Sequence, residues 1–197
     1  MTRNVAILIF DEVEVLDFCG PFEVFGVAGL HSAGERPFYV YTIAEKSGPV
    51  SARNGLSINP NFTIADCPQP DILLVPGGRG TRRVIHNEAL VNWVREQAGR
   101  AELLLSVCTG ALVLAKAGLL EGLSATTHFQ AFQELRDLAP TTTLCLEQRY
   151  VDNGQIVLSA GISAGIDMSL YVVARLLGEK QANETARYMQ YDYWPQK

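Results

Sequence analysis

Glu102-Leu103-Leu104-Leu105-Ser106-Val107-Cys108-Thr109-Gly110 joins an apolar run to a turn of small residues around a thiol. The run over 102–107 is almost continuously hydrophobic, the pattern of a central parallel strand covered on both faces. It passes directly into a helical pattern over 110–117. A strand-to-helix turn with small residues two places on either side of a thiol is a nucleophile elbow. Neighbouring backbone closes on such a turn, so bulk at Ser106 or Gly110 would collide while Cys108 is lifted into a cleft.

Two similar runs, Val5 to Phe10 and Asp71 to Val75, read as further central strands, and 38–44, 57–59 and 155–159 as additional ones. Helical patterns cover 20–30, opened by Pro21 at a first-turn position, then 88–98, 129–138 and 164–177. The last places Ile166, Leu170, Val173 and Leu177 on one face. Gly48-Pro49 and Asn153-Gly154 are turn signals. The alternation predicts a single α/β domain over 1–197, a doubly wound, mainly parallel sheet with helices on both faces. Ligands of such sheets bind outside the carboxyl ends of the strands.

Composition narrows the partners. Among 197 residues, 16 Lys and Arg face 21 Asp and Glu, a formal charge of −5, and no basic cluster exceeds Arg82-Arg83. That balance lacks the electrostatic footprint required by nucleic acid or an anionic membrane. A hydrophobic fraction of 48% leaves apolar surface for a subunit interface and predicts a homo-oligomer. Val5 to Phe10 is too short for a secretion signal or a bilayer span, which predicts a cytoplasmic protein. Four cysteines without paired spacing argue against a disulfide framework and leave a thiol for chemistry.

The candidate chemistry lies in three loops at the predicted edge. Cys108 stands at a helix N-terminus, whose partial positive charge favours thiolate. Cys19, Cys67 and Cys145 read as small buried hydrophobes, although Cys19 neighbours Asp17. Gly77 and Gly78, after the strand ending at Val75, offer backbone N–H groups that with the N–H of Thr109 form donors for developing charge. Asp17 has two readings: a cap for the helix near Pro21, or a buried carboxyl whose raised pKa lets it donate a proton. His128, closing 124–128, is a base or hydrogen-bond partner at the same edge. His31 and His86 have no acidic or thiol companions at ligand spacing, so no metal site is expected. Tyr188, Tyr191, Tyr193 and Trp194 read as packing or interface.

The ordered set Leu16-Asp17-Phe18-Cys19-Gly20-Pro21, Val75-Pro76-Gly77-Gly78, Ser106-Val107-Cys108-Thr109-Gly110, Gly118-Leu119-Leu120, Ala125-Thr126-Thr127-His128 and Gly161-Ile162-Ser163-Ala164-Gly165-Ile166-Asp167 resembles the ThiJ/PfpI superfamily. It is most similar to that superfamily's isocyanide (isonitrile) hydratase branch. The resemblance implies a flavodoxin-like fold of the class I glutamine amidotransferase type, a homodimer, and neither metal nor organic cofactor. It implies that Cys108 is the nucleophile, that Asp17 touches its sulfur and supplies a proton, and that Thr109 and the Gly77-Gly78 turn position a small-molecule substrate or water.

Two departures separate the chain from neighbouring branches. Protease-like members place His directly after the nucleophile, where Thr109 stands here, and many sugar- or ketoaldehyde-processing members carry Glu where this chain has Asp17. The sequence also resembles the ligand-sensing half of AraC-type regulators, but stops at Lys197 without room for their helix-turn-helix module. Three functions follow as expectations: a cysteine-dependent hydratase converting isocyanide to N-substituted formamide, a non-enzymatic ligand or redox sensor, and a glyoxalase- or deglycase-like enzyme.

Overall fold

The computed structural model describes residues 2–30 and 36–192. Its main sheet contains β1 (Arg3–Leu8), β2 (Phe38–Ala44), β5 (Phe62–Thr63), β6 (Ile72–Val75), β7 (Leu103–Val107), β10 (Tyr150–Asp152) and β11 (Ile156–Ser159). The spatial order is β10-β11-β7-β6-β1-β2-β5, parallel throughout except for β10 against β11. Two short pairs, β3 (Val50–Ser51) with β4 (Ser57–Ile58) and β8 (Ser124–Ala125) with β9 (Thr143–Leu144), stand apart from it. The helices are α1 (Val15–Val27), α2 (Thr81–Val84), α3 (Glu88–Ala98), α4 (Gly110–Lys116), α5 (Phe132–Leu138), α6 (Ala164–Leu177) and α7 (Glu179–Tyr188).

The three apolar runs form the adjacent central strands β1, β6 and β7, and every residue of β6 and β7 is buried. This is the α/β, flavodoxin-like arrangement predicted from their near-continuous hydrophobicity. Strand order reverses around β1, so the loops after β1 and β6 diverge at one edge while the elbow after β7 closes the third side.

Three local readings change. The first helix begins at Val15, with Pro21 inside it instead of at its entry. Pro21 removes one intrahelical donor, but Gly20 has no Cβ to crowd the proline ring, and the segment buries Phe18, Val24 and Phe25. Packing outweighs the break. The strand read at 57–59 pairs only with β3, and the segment before His128 pairs with β9, both outside the main sheet. Strands β5 and β10 and helix α7, which the sequence reading did not assign, complete the fold.

The elbow's steric demand is explicit. Cys108 adopts φ 56°, a left-handed conformation costly for a residue with a Cβ. A Cβ on Gly110 would lie 2.0 Å from the carbonyl oxygen of Val75, inside the backbone of β6. By contrast, a Cβ on Gly26 in α1 would meet nothing within 4 Å. We expect Gly110→Ala to lower unfolding stability by roughly 2–4 kcal/mol, because backbone must shift. Gly26→Ala should raise it by about 0.5–1 kcal/mol. Chemical denaturation checks both, and equal effects would remove the steric account.

Candidate active site

Asp17, the third residue of α1, is fully buried. It is not a helix cap. Glu14 occupies the cap position without a side-chain bond, whereas Asp17 Oδ2 accepts the backbone N–H of Gly77 at 2.9 Å from the loop after β6. Oδ1 is also buried and has no hydrogen-bond partner. The carboxyl and the Cys108 thiol are neighbours, each shifting the other's titration. The left-handed elbow and the early start of α1 thus bring these two groups together.

Desolvation pushes the Asp17 carboxyl up to about 7, with the Gly77 N–H opposing and the charge of Glu14 reinforcing the rise. Burial and then the adjacent Asp17 charge push the Cys108 thiol up to about 12, while N–H groups of Thr109 and Ile162 directed at sulfur pull it down. The helix terminus was expected to favour a standing thiolate. Burial and a like charge outweigh it. At neutral pH the thiol therefore keeps its proton while the carboxyl is part-protonated, and the two groups titrate as a coupled pair.

The Gly77-Gly78 turn serves differently from the expected donor pair. Gly77 N–H is spent on Asp17, and Gly78 N–H donates to Thr109 Oγ1 at 2.9 Å. Thr109 Oγ1 in turn donates to Gly78 O at 3.1 Å, and Thr81 Oγ1 approaches it at 3.3 Å. A Cβ on Gly77 would lie 2.5 Å from Thr109 N and 2.8 Å from Asp17 Oδ2. Glycine is required for this close approach. The turn and the Thr109 hydroxyl are a frame locking elbow and carboxyl in register, and the Thr109 N–H remains on the sulfur.

Ile162, between β11 and α6, supplies the second backbone donor to sulfur and holds φ 45° despite its branched Cβ. Its motif marked it as part of a strand-end loop, but nothing in residue type announced an N–H aimed at Cys108. His128 caps the short 3₁₀ turn at Phe129–Ala131, its Nδ1 accepting from Gln130 N at 3.3 Å. It reaches the same cleft as Cys108, about 230 Å³ in volume, which Glu14, Arg53, Arg79, Arg82 and Ile162 also line. Those charged residues were absent from the sequence-based site. A larger groove of about 390 Å³ between α1 and α7 contains none of these groups.

The other expectations separate by environment. Cys19 is exposed, while Cys67 and Cys145 are half-buried, so none is the sealed apolar group expected. Tyr191 hydrogen-bonds Asp167 at 3.1 Å, whereas Tyr188 is exposed. His31, Tyr193 and Trp194 lie outside the described residues. Among the described residues, no helix is long and apolar enough to cross a membrane.

The family model for DJ-1/PfpI matches residues 3–175. The chain belongs to the DJ-1/PfpI family. It is 35% identical over 192 residues to the isonitrile hydratase of Pseudomonas putida, covering 97% of this chain and 79% of that protein. It is 31% identical over 182 residues to the HTH-type transcriptional regulator CdhR of Pseudomonas aeruginosa, covering 92% of this chain. Its match spans about half of that regulator's length. The solved structure of a ThiJ/PfpI family protein from Pseudomonas syringae superposes with TM-score 0.88 at 29% identity, covering all of this chain and 78% of that one. Drosophila melanogaster DJ-1beta, at 21% identity and TM-score 0.83 over 98% of this chain and all of that chain, shares the fold.

Burial of Asp17 has a thermodynamic consequence. A carboxyl with a raised folded-state pKa contributes stability below its unfolded value near 3.8 and loses it as pH rises to about 7. Relative to Asp17→Asn, wild type should therefore lose roughly 2 kcal/mol of stability between pH 5 and pH 8. Denaturant melts at the two pH values measure the difference. A pH-independent gap would show that the carboxyl is not held in this environment.

Proposed function

We propose that this protein is a cysteine-dependent hydratase that converts a small isocyanide to an N-substituted formamide. The observation carrying the reading is the fully buried Asp17 carboxyl, held by the Gly77 N–H beside the Cys108 thiol at a cleft and pushed by burial to titrate near operating pH. Isocyanide hydration needs a nucleophile for the terminal carbon and a proton for that same carbon. The pair supplies both.

Sulfur adds to the terminal carbon of R–N≡C as the thiol's proton passes through the Asp17 carboxyl to that carbon, giving the thioimidate R–N=CH–S–Cys108. Water then adds across the C=N bond, placing hydroxyl on carbon and hydrogen on nitrogen. Collapse of R–NH–CH(OH)–S–Cys108 breaks the carbon–sulfur bond, releases R–NH–CHO and returns the hydroxyl proton to the pair. The sum is R–N≡C plus water giving formamide. The N–H groups of Thr109 and Ile162 stabilise negative charge on sulfur as it departs. Neither metal nor organic cofactor enters the sequence, and a cytoplasmic homodimer acting on a small molecule is the proposed working form.

Similarity to a regulator supports a second reading, a sensor without turnover. In its redox form that reading needs a standing thiolate open to oxidation, and burial weighs against one at Cys108. A glyoxalase-like activity would make a 2-hydroxy acid from a 2-oxoaldehyde instead.

Formamide release from an alkyl isocyanide should fall below detection in Cys108→Ala. Asp17→Asn should reduce kcat by roughly 10²–10⁴. The same Asn variant removes the charge that holds the thiol up, so Cys108 should alkylate faster with iodoacetamide at pH 8 even as hydration fails. Turnover of 2-oxoaldehydes alone, or no turnover of either class, would overturn the hydratase assignment.

A further inference from the structure

The cleft that holds Cys108 is lined by three guanidinium groups, and the structure gives carboxylate partners to two of them. Arg53 pairs with Glu12 at 3.5 Å and with Glu14 at 3.6 Å. Arg82 pairs with Glu134 and also reaches Gly78 O and Thr81 Oγ1. Arg79, exposed on the loop beside the Gly77-Gly78 turn, has no hydrogen-bond or ion-pair partner among the described residues. Glu14 also faces the cleft, but Arg53 engages its charge. Glu12, Glu14 and Glu134 match the three guanidinium groups in number, yet Arg79 is the one that none of them engages.

A second donor faces the same space. His128 lines it, and with Nδ1 accepting the Gln130 N–H the ring's hydrogen-bond donor is Nε2. Apart from the reacting sulfur, Ala131 and Ile162 provide the cleft's apolar lining. An alkyl or aryl substituent would meet mostly charged and hydrogen-bonding groups and leave Arg79 uncompensated. A carboxylate would complete it.

The geometry points to a substrate that carries an anionic carboxylate a short distance from the electrophilic carbon, with Arg79 as the residue that selects it and His128 as the supporting donor. This inference deepens the hydratase reading and rests on it for the reacting group. The carboxylate chooses the molecule, and the thiol–carboxyl pair acts on its other end. A guanidinium at an open cleft gives moderate selectivity because solvent screens the pair.

Isocyanoacetate and its methyl ester present the same reacting carbon with and without the charge. Wild type should show kcat/KM about five- to tenfold higher for the carboxylate. In Arg79→Gln the ratio of the two values should collapse towards one, and in wild type it should shrink as salt is added. Equal values in wild type, or a preference that survives in the variant, would overturn the assignment. If neither compound is hydrated, the reaction class has failed and the anion site is decided separately by alkylation of Cys108. The ratio of its iodoacetate to iodoacetamide rates, read by mass spectrometry on the Cys108 peptide, should fall about fivefold in Arg79→Gln. An unchanged ratio would dismiss the site.

Discussion

The left-handed turn at Cys108 governs the site, because it requires the backbone of β6 to pass within a hydrogen atom's reach of Gly110. Forced to that distance, the chain after Val75 must turn at Gly77 and Gly78, and the turn's N–H groups point at Asp17 and Thr109. The carboxyl at the start of α1 and the thiol of the elbow are thus fixed by Gly77 and Gly78 in the loop after β6 and by Gly110 just beyond the thiol. Neither side chain could hold the other without that frame, since the Asp17–Cys108 contact by itself buries an acid at a cost.

Strain accumulates where the chemistry is. Of the five described non-glycine residues with positive φ, four sit around the site: the Glu12 carbonyl accepts the N–H that anchors Gly80, Asn54 follows the cleft residue Arg53, and Cys108 and Ile162 meet at the sulfur; the fifth, Gln190, follows α7. Each such conformation costs on the order of 1–3 kcal/mol unless local contacts compensate. The apolar strands β1, β6 and β7 supply the rigid, dry support that lets the edge sustain this cost. The core therefore acts on function by holding an unfavourable geometry in place.

Much of this was readable in the chain because two periodicities differ so plainly. Strands β6 and β7 announced themselves as uninterrupted apolar runs, and α6 matched its predicted span through the spacing of Ile166, Leu170 and Val173. The start of α1 was misplaced because a proline usually marks a helix's first turn, whereas here the burial of Phe18 and Phe25 holds a helix across it. The elbow was legible from residue size alone. What residue type could not convey was direction: that Gly77 gives its N–H to a carboxylate sixty residues earlier, or that a branched isoleucine turns left-handed to face sulfur. Nor could local sequence tell that Arg53 and Arg82 are neutralised by distant glutamates while Arg79 is left over.

On the proposed reading, the opposing influences on the thiol bear on how one scaffold is similar both to an enzyme and to a regulator. A helix terminus and two backbone N–H groups favour charge on sulfur, and burial beside Asp17 disfavours it. Burial prevails, so the thiol keeps its proton, and on the proposed mechanism that proton leaves through Asp17 for an electrophilic carbon. A ligand without such a carbon would occupy the same space and take no proton, so binding would end there. On that mechanism the distinction between turnover and sensing resides less in the fold than in whether the bound molecule can accept the proton that Cys108 gives up through Asp17.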